Sequence, residues 1–363
     1  MTSVRNLRHV PGRNLVRLVR KALFVALATA MAAAGAAQPT AADQPAKQVF
    51  GAADLPAALP ARAIGFYSKG CLAGGIAIPT DGPTWQAMRL SRNRRWGHPD
   101  LIRLVEKLSR EAAAQDGWPG LLVGDIAQPR GGPMLSGHAS HQVGLDADVW
   151  LTPMPDRKLS AAERENLSAT SMLRKNTLYV DDRIWTPAHA RLLMRAASYP
   201  EVERIFVHPG IKKKLCDSWT GSRAAMGKIR PYYGHHYHFH IRIKCPPGAS
   251  GCRSQNPPPA GAGCDSSLAW WFTDEPWAPA KPKKDDTKPK PKKRDIQLSD
   301  LPSACRMVIA APGPASEAEV TLGADPIARI ARANANNAAI RASAFAPLPL
   351  PGRIPLPVPR PAN

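Results

Sequence analysis

The chain has 363 residues, 38 of them proline, and its 49 Lys and Arg against 28 Asp and Glu give a formal net charge of +21. That length allows one large domain or two small ones. Much of the positive charge lies in an N-terminal segment and in a Lys/Pro-rich run, so the charge by itself does not indicate nucleic-acid binding, and no nucleic-acid-binding motif is recognisable. A basic surface still favours an anionic polymer as a partner.

Residues 1–37 are typical of a cleaved signal peptide. Basic residues from Arg5 to Lys21 precede a short apolar run, Ala22 to Met31, and small residues follow around 34–37. This order of basic, apolar and small residues is that of a secretory signal. A membrane anchor is the alternative, but the run is shorter than the roughly 20 apolar residues that span a bilayer. We therefore expect an exported protein.

The folded part is predicted to cover residues 45–306. Apolar residues at helical spacing follow Pro99-Asp100, a capping-box pattern begins at Ser160, and Thr186-Pro187 opens a further helix that ends near Pro200. Residues 203–207 read as a strand.

Two stretches are predicted to lack a packed structure. Residues 278–298 form a Lys/Pro-rich low-complexity insertion, and residues 307–363 are an Ala/Pro-rich tail with almost no aromatic residues. Both compositions are typical of disordered segments.

Six of the ten histidines lie in two short segments, 138–141 and 235–240. Alternation from Gly144 onwards predicts a strand that carries Asp146 and Asp148 on one face. The same phase places His236, His238, His240 and Arg242 on one face of a second strand. We expect an α+β domain whose central sheet is antiparallel, with helices over the apolar face and a cleft along the polar face.

The two segments together predict a zinc site. A catalytic zinc takes three protein ligands of the imidazole and carboxylate type and lowers the pKa of a bound water. We assign His141, Asp148 and His240 as ligands, and His238, on the strand face of His240, as the general base. The alternative, that each histidine is an ordinary surface or core residue, does not account for their clustering.

The sequence does not assign a single chemical role to the remaining residues of the clusters. Asp146 either orients a ligand imidazole or caps the loop, and His236 has no assigned chemical role. His9, His98, His189 and His208 show no partner pattern.

All six cysteines follow the signal segment, and their even number in an exported chain favours three disulfides. Zinc binding by thiolates is the alternative, but no pair is spaced C-x-x-C. Fifteen pairings are possible for six cysteines, and spacing favours only the local loop of Cys245 and Cys252.

The motifs resemble a known family. His-x6-Asp followed far downstream by His-x-His is similar to the LAS peptidases, the lysostaphin-like, D-alanyl-D-alanine and hedgehog-like zinc domains. The segments 136–148, 204–216 and 235–246 most resemble the penicillin-insensitive murein endopeptidase family, over roughly residues 60–305. The resemblance implies the α+β fold of that group, zinc on the positions that match His141, Asp148 and His240, and His238 as base. It also places His138 and His235 along the site, with His138 as a further ligand candidate.

The resemblance further implies a reaction and a location. The reaction is hydrolysis of the D-alanyl–meso-diaminopimelyl cross-link of peptidoglycan in the periplasm, and penicillin resistance follows because there is no serine nucleophile to acylate. The implied disulfides are Cys71–Cys305, Cys216–Cys264 and Cys245–Cys252. The Lys/Pro insertion and the tail depart from the family pattern, and a further metal site has no clear counterpart here.

Three alternatives remain for the function. A D,D-carboxypeptidase or dipeptidase acting on uncross-linked stem peptides is the nearest enzyme. A catalytically silent cell-wall-binding module with the same fold belongs to another class. A nucleic-acid binder ranks last, since the chain is expected to be exported.

Overall fold

The computed structural model describes residues 44–279 and 294–323. The predicted signal peptide, residues 280–293 of the predicted insertion and residues 324–363 of the predicted tail lie outside these ranges. The fold is α+β, as the sequence predicts. Within the described ranges, no helix combines the length and the apolar character that a bilayer crossing requires.

Eleven short strands and seven α-helices make up the described part of the chain. The strands are β1 (Arg62–Phe66), β2 (Lys69–Ala73), β3 (Ile76–Ala77), β4 (Asp81–Gly82), β5 (Trp85–Ala87), β6 (Trp96–Gly97), β7 (Leu121–Val123), β8 (Asp146–Trp150), β9 (Val202–Val207), β10 (Ile229–Pro231) and β11 (His238–Ile243). The helices are α1 (Ala46–Gly51), α2 (Pro99–Gln115), α3 (Ala161–Asn166), α4 (Pro187–Ser198), α5 (Pro209–Ser218), α6 (Ser266–Ala269) and α7 (Ala304–Ala310).

The central sheet has seven strands in the order β10-β9-β11-β8-β7-β5-β4. Its middle, from β9 through β11 and β8 to β7, is antiparallel. The outer pairs β10–β9 and β5–β7 are parallel, so the sheet as a whole is mixed. Strands β1 with β2 and β3 with β6 form two further antiparallel pairs.

Three of the helices, α2, α3 and α4, begin where the sequence predicts them. Helix α2 starts at Pro99 and buries the apolar stripe that includes Leu101, Val105 and Leu108. Ser160 and Glu163 form the complete capping box of α3. A helix with one apolar stripe is stabilised mainly by packing that stripe, and α2 does so in the main core beneath the sheet.

Strands β8 and β11 are buried along their whole length. Ala147, Val149, Phe239 and Ile241 lie in the main hydrophobic core. The polar face is also buried, whereas the sequence predicted that it lines a cleft; Asp146 is fully buried. The reason is that the loop before β8 folds over this face and contacts it.

The end of the described chain packs back onto its beginning. Arg130 donates hydrogen bonds from Nη1 to the carbonyl oxygens of Val308, Ile309 and Ala311. Val308 and Cys305 join a second hydrophobic cluster with Phe50. Ordered structure therefore continues past residue 306 to residue 323, through residues that the sequence analysis placed in the tail.

Three disulfides close the fold, Cys71–Cys305, Cys216–Cys264 and Cys245–Cys252. These are the pairs that the family resemblance implies. No cysteine remains free, so none is available as a thiolate ligand.

Candidate metal centre

Pairing of β8 with β11 brings the two histidine segments together. In this antiparallel register, His240 lies opposite Asp148 and Arg242 lies opposite Asp146. Because side chains on a strand alternate between its faces, these four residues share one face of the sheet. A long-range strand pair therefore places groups that are about a hundred residues apart in sequence against one another.

The loop before β8 adds His141 to this face. Its backbone has φ +67°, the left-handed region that non-glycine residues rarely adopt. Two hydrogen bonds hold it there, from the His141 backbone N–H to Asp146 Oδ2 at 3.0 Å and between His141 Nδ1 and the Ile126 carbonyl oxygen at 2.5 Å. Since a carbonyl oxygen only accepts, Nδ1 carries the proton and Nε2 keeps a free lone pair.

Gly144 allows the turn from this loop into β8. Its φ is +70°, and a Cβ there would lie 2.9 Å from the backbone nitrogen of His98. A larger residue would therefore displace the loop that carries His141.

Asp148 is the centre of the cluster. Its Oδ1 lies 3.4 Å from His141 Nε2, 3.4 Å from His240 Nδ1 and 3.7 Å from His238 Nε2. Its Oδ2 lies 3.4 Å from His138 Nε2. One donor atom each from His138, His141 and Asp148 lie within 4.8 Å of one another, which is a spacing suited to a shared metal ion.

Three buried polar atoms of this cluster lack hydrogen-bond partners. In the described ranges, six buried side-chain N or O atoms have no partner, and three of them are His141 Nε2, Asp148 Oδ1 and His238 Nδ1. A buried polar atom without a partner is costly, so native proteins rarely leave several together. Imidazole nitrogen and carboxylate oxygen are zinc ligands, and the residues present therefore fit a metal ion.

Asp146 orients the groups around this centre. It accepts hydrogen bonds on Oδ1 from His240 Nε2 at 2.8 Å and from Arg242 Nε at 2.7 Å. With its Nε2 proton bound to Asp146, His240 turns the free lone pair of Nδ1 towards Asp148. The two interpretations that the sequence left open for Asp146 are both present, since it holds an imidazole and also caps the loop at His141.

The protonation states suit metal binding for most of the cluster. Burial lowers the pKa of both His238 and His240 to about 4, which leaves these imidazoles neutral at neutral pH. Burial raises the pKa of Asp148, but the neighbouring His141 and His238 outweigh it and hold that pKa well below its usual range. Burial lowers the pKa of His141, and the charge of Asp148 more than offsets this, so a metal would compete with a proton there.

His235 and His236 occupy the turn before β11. His235 has φ +53°, and its ring centroid lies 4.8 Å from that of His238. His236 turns away, with Nδ1 2.9 Å from Ser171 Oγ. The structure thus places His235 beside the cluster and His236 outside it.

Sequence reasoning missed Asp125 and Arg94. Asp125 Oδ2 lies 3.1 Å from His138 Nε2 and accepts a hydrogen bond from Arg94 Nη1 at 2.9 Å. Asp125 follows β7, and its carbonyl oxygen accepts from the Asp148 backbone N–H. Neither residue belongs to a histidine-rich segment, and only the pairing of the Asp125 segment with β8 brings it to the site.

Comparison with known proteins identifies the family. The model of the family described as penicillin-insensitive murein endopeptidase matches residues 63–310. A penicillin-insensitive murein endopeptidase of Haemophilus influenzae is 45% identical over 229 residues, which are 62% of this chain and 77% of the relative. Proteins of the same name from Klebsiella pneumoniae subsp. pneumoniae and Pectobacterium atrosepticum are 38% and 35% identical over 58% and 70% of this chain and 77% and 86% of their own lengths.

The chain belongs to the penicillin-insensitive murein endopeptidase family. The resemblance that the sequence motifs suggested is confirmed, and the matched residues contain the whole cluster.

Three further histidines of this chain make hydrogen bonds at the starts of helices. His98 Nδ1 and His208 Nδ1 accept hydrogen bonds from the first turns of α2 and α5. His189 pairs with Thr186 at the start of α4. His9 lies outside the described residues.

Proposed function

We propose that this protein is a zinc-dependent murein endopeptidase that hydrolyses the D-alanyl–meso-diaminopimelyl cross-links of peptidoglycan in the periplasm. Membership of the family supports the activity. The observation that carries the zinc assignment is the pair His141 Nε2 and Asp148 Oδ1, buried, 3.4 Å apart and without hydrogen-bond partners. A divalent cation between them would satisfy both atoms.

The zinc ligands are His141, Asp148 and His240, with His138 next to Asp148 as a further candidate. A zinc ion bound there would polarise the scissile carbonyl group and make an attacking water more acidic. The neighbouring groups hold this arrangement in place, since Asp146 fixes His240 and the Ile126 carbonyl oxygen fixes His141.

His238 acts as the general base in this proposal. Burial lowers its pKa to about 4, so the imidazole is neutral at neutral pH. Its Nδ1 is buried without a partner, and its Nε2 faces Asp148 Oδ1. After it accepts a proton, the nearby carboxylate of Asp148 stabilises the imidazolium.

The test is digestion of purified sacculi by the mature protein, before and after metal removal and after addition of zinc. We expect cross-linked dimer muropeptides to fall with zinc present and to persist after chelation. Dimers that persist with zinc bound would refute the endopeptidase, and loss of terminal D-Ala from monomer pentapeptides alone would identify a D,D-carboxypeptidase.

His238→Ala separates an enzyme from a wall-binding module. We expect it to retain zinc, measured by metal analysis, while activity falls by roughly 10²–10⁴-fold, the usual contribution of a general base. Unchanged digestion by this variant would exclude His238 as the base.

A further inference from the structure

A set of five aromatic rings lies beyond the metal centre. This aromatic platform consists of Tyr232 and Tyr233, from the turn before β11, and Trp270, Trp271 and Trp277, which follow α6. The ring centroid of Tyr233 lies 4.8 Å from that of Trp271 and 5.4 Å from that of Trp277. Two separate segments therefore form one aromatic surface.

Four of the five rings of the platform are exposed, and Trp271 is half-buried. Tyr232 is 50% exposed and Trp277 40%, and Tyr233 and Trp270 are similarly open. The exposed large aliphatic residues in the described ranges, Leu135, Leu167 and Met307, belong to other segments. An exposed apolar patch of this kind marks a binding surface.

The rings are held in position by their own polar atoms. Trp270 Nε1 donates to Glu275 Oε2 at 2.9 Å, Trp277 Nε1 donates to the Trp271 carbonyl oxygen, and Tyr233 Oη donates to the Pro276 carbonyl oxygen. These N–H and O–H groups are occupied, and neighbouring rings pack edge to face at 63° to 84°, so a ligand meets the exposed parts of rings in several orientations. A ligand would therefore lose little binding free energy in ordering them.

The platform is continuous with the metal centre. The Tyr232 ring lies 5.7 Å from that of His235, and His235 lies 4.8 Å from His238. A molecule that covers the platform therefore extends to the edge of the site at which the cross-link is cut.

We propose that the aromatic platform binds the sugar rings of the peptidoglycan glycan strand, an inference that rests on the proposed function. A pyranose has a face of C–H groups and an edge of hydroxyl groups, and aromatic ring faces complement the C–H face. Exposed carboxylates of Asp274 and Glu275, in the same segment, are acceptors for sugar hydroxyls.

Binding of the glycan strand would also position the cross-link. Stem peptides are attached to the glycan strand, so a strand bound on the platform keeps its cross-links close to His238. The attachment raises the local concentration of the cross-link at the site without any new contact to the peptide.

The test measures binding of a peptide-free oligosaccharide of alternating N-acetylglucosamine and N-acetylmuramic acid to the full chain by calorimetry. We expect Trp270→Ala to weaken this binding at least about tenfold, because one stacking face is lost. Trp270→Phe, which keeps a flat ring, is expected to retain most of the affinity. Met307→Ala removes an exposed apolar side chain elsewhere and is expected to bind like the parent protein.

Either of two results overturns the inference: the parent protein fails to bind the oligosaccharide, or Trp270→Ala binds it as tightly as the parent while both melt at the same temperature. A free stem peptide that binds in a Trp270-dependent way, with no saccharide binding, identifies a peptide surface instead. Cleavage of a sugar-free cross-linked peptide is measured separately. Its failure would refute the proposed function without affecting the saccharide measurement.

Discussion

The two ends of the polar face shared by β8 and β11 differ in how their polar atoms are partnered. At one end, Asp146 receives hydrogen bonds from His240, Arg242 and the His141 backbone. At the other end, two residues along the same strand, Asp148 has an oxygen with no hydrogen bond. Both carboxylates are buried, so burial does not separate them. The Asp146 end therefore stabilises the strand pair, whereas the Asp148 end keeps an oxygen available, as the proposed metal site requires.

At the Asp146 end, the contacts continue into a network of Arg242, Tyr67 and Glu203. The guanidinium of Arg242 lies over the ring of Tyr67 at 4.1 Å and donates to Gln255 Oε1. Tyr67 in turn donates to Glu203 Oε2 and to the Ile243 carbonyl oxygen. A network whose members are all bonded rigidifies the strand pair that carries the proposed ligands.

The largest expected effect is that of Asp148→Asn on zinc binding. The substitution keeps the shape and removes the charged ligand, so zinc affinity should fall by more than the roughly 10- to 100-fold typical of residues outside the ligand shell. The free energy of unfolding of the metal-free protein should fall by less than the roughly 3–5 kcal/mol typical of breaking a buried ion pair, because Asp148 Oδ1 has no hydrogen bond to lose. Competition with a chelator measures the zinc affinity, and urea unfolding measures the stability. If this variant still bound one zinc ion tightly, Asp148 would not be a ligand, and the two ends would not differ as described.

Arg242→Met should have its main effect on stability. It leaves the Asp146 carboxylate buried without its cationic partner, and removing one partner of a buried pair costs roughly 3–5 kcal/mol. Urea unfolding of the metal-free protein measures this. The matched control is Arg103→Met, which breaks an exposed ion pair with Asp100 and should cost at most about 1 kcal/mol. Equal costs for the two variants would contradict a supporting role for the Arg242 end.

Asp146→Asn should lower both the zinc affinity and the free energy of unfolding, each by less than the variant that affects it most. The amide still bonds to some partners but no longer carries the charge that orients His240, so zinc affinity should fall roughly 10- to 100-fold. The free energy of unfolding should fall by about 1–3 kcal/mol. A loss of zinc as severe as in Asp148→Asn would mean that Asp146 is itself a ligand.

Lys212 offers a third case, a buried charge bonded only to neutral groups. Its Nζ donates to the carbonyl oxygens of Met226 and Ala262, and burial lowers its pKa to about 7 from 10.5. Between these values the unfolded chain binds a proton that the folded protein does not, so stability should rise with pH. Lys212→Met should remove a slope of about 1.4 kcal/mol per pH unit from urea unfolding between pH 7.5 and 8.5. An unchanged slope would show that Lys212 stays protonated in the folded protein.

The parts of this fold that could be predicted are those encoded by local pattern. Alternation across 145–151 and 237–243 gave the phase of β8 and β11, and the Pro99 and Pro187 starts gave two helices. The parallel pairing of β10 with β9 and of β5 with β7 could not be predicted, because strand partners are chosen by contacts distant in sequence. Asp125 escaped prediction for the same reason, since it reaches His138 through long-range pairing. The left-handed backbone at His141 depends on its bond to Asp146, which spacing does not encode.

The Cys71–Cys305 disulfide joins residues 234 positions apart, so it encloses nearly all of the described domain in one covalent ring. Closing so long a loop restricts the unfolded chain more than the seven-residue loop of Cys245–Cys252 does. Its second cysteine is also among the last residues of the domain to be synthesised. The residues of the proposed metal centre therefore leave the ribosome before the ring can close, and the ring is completed only where thiols are oxidised.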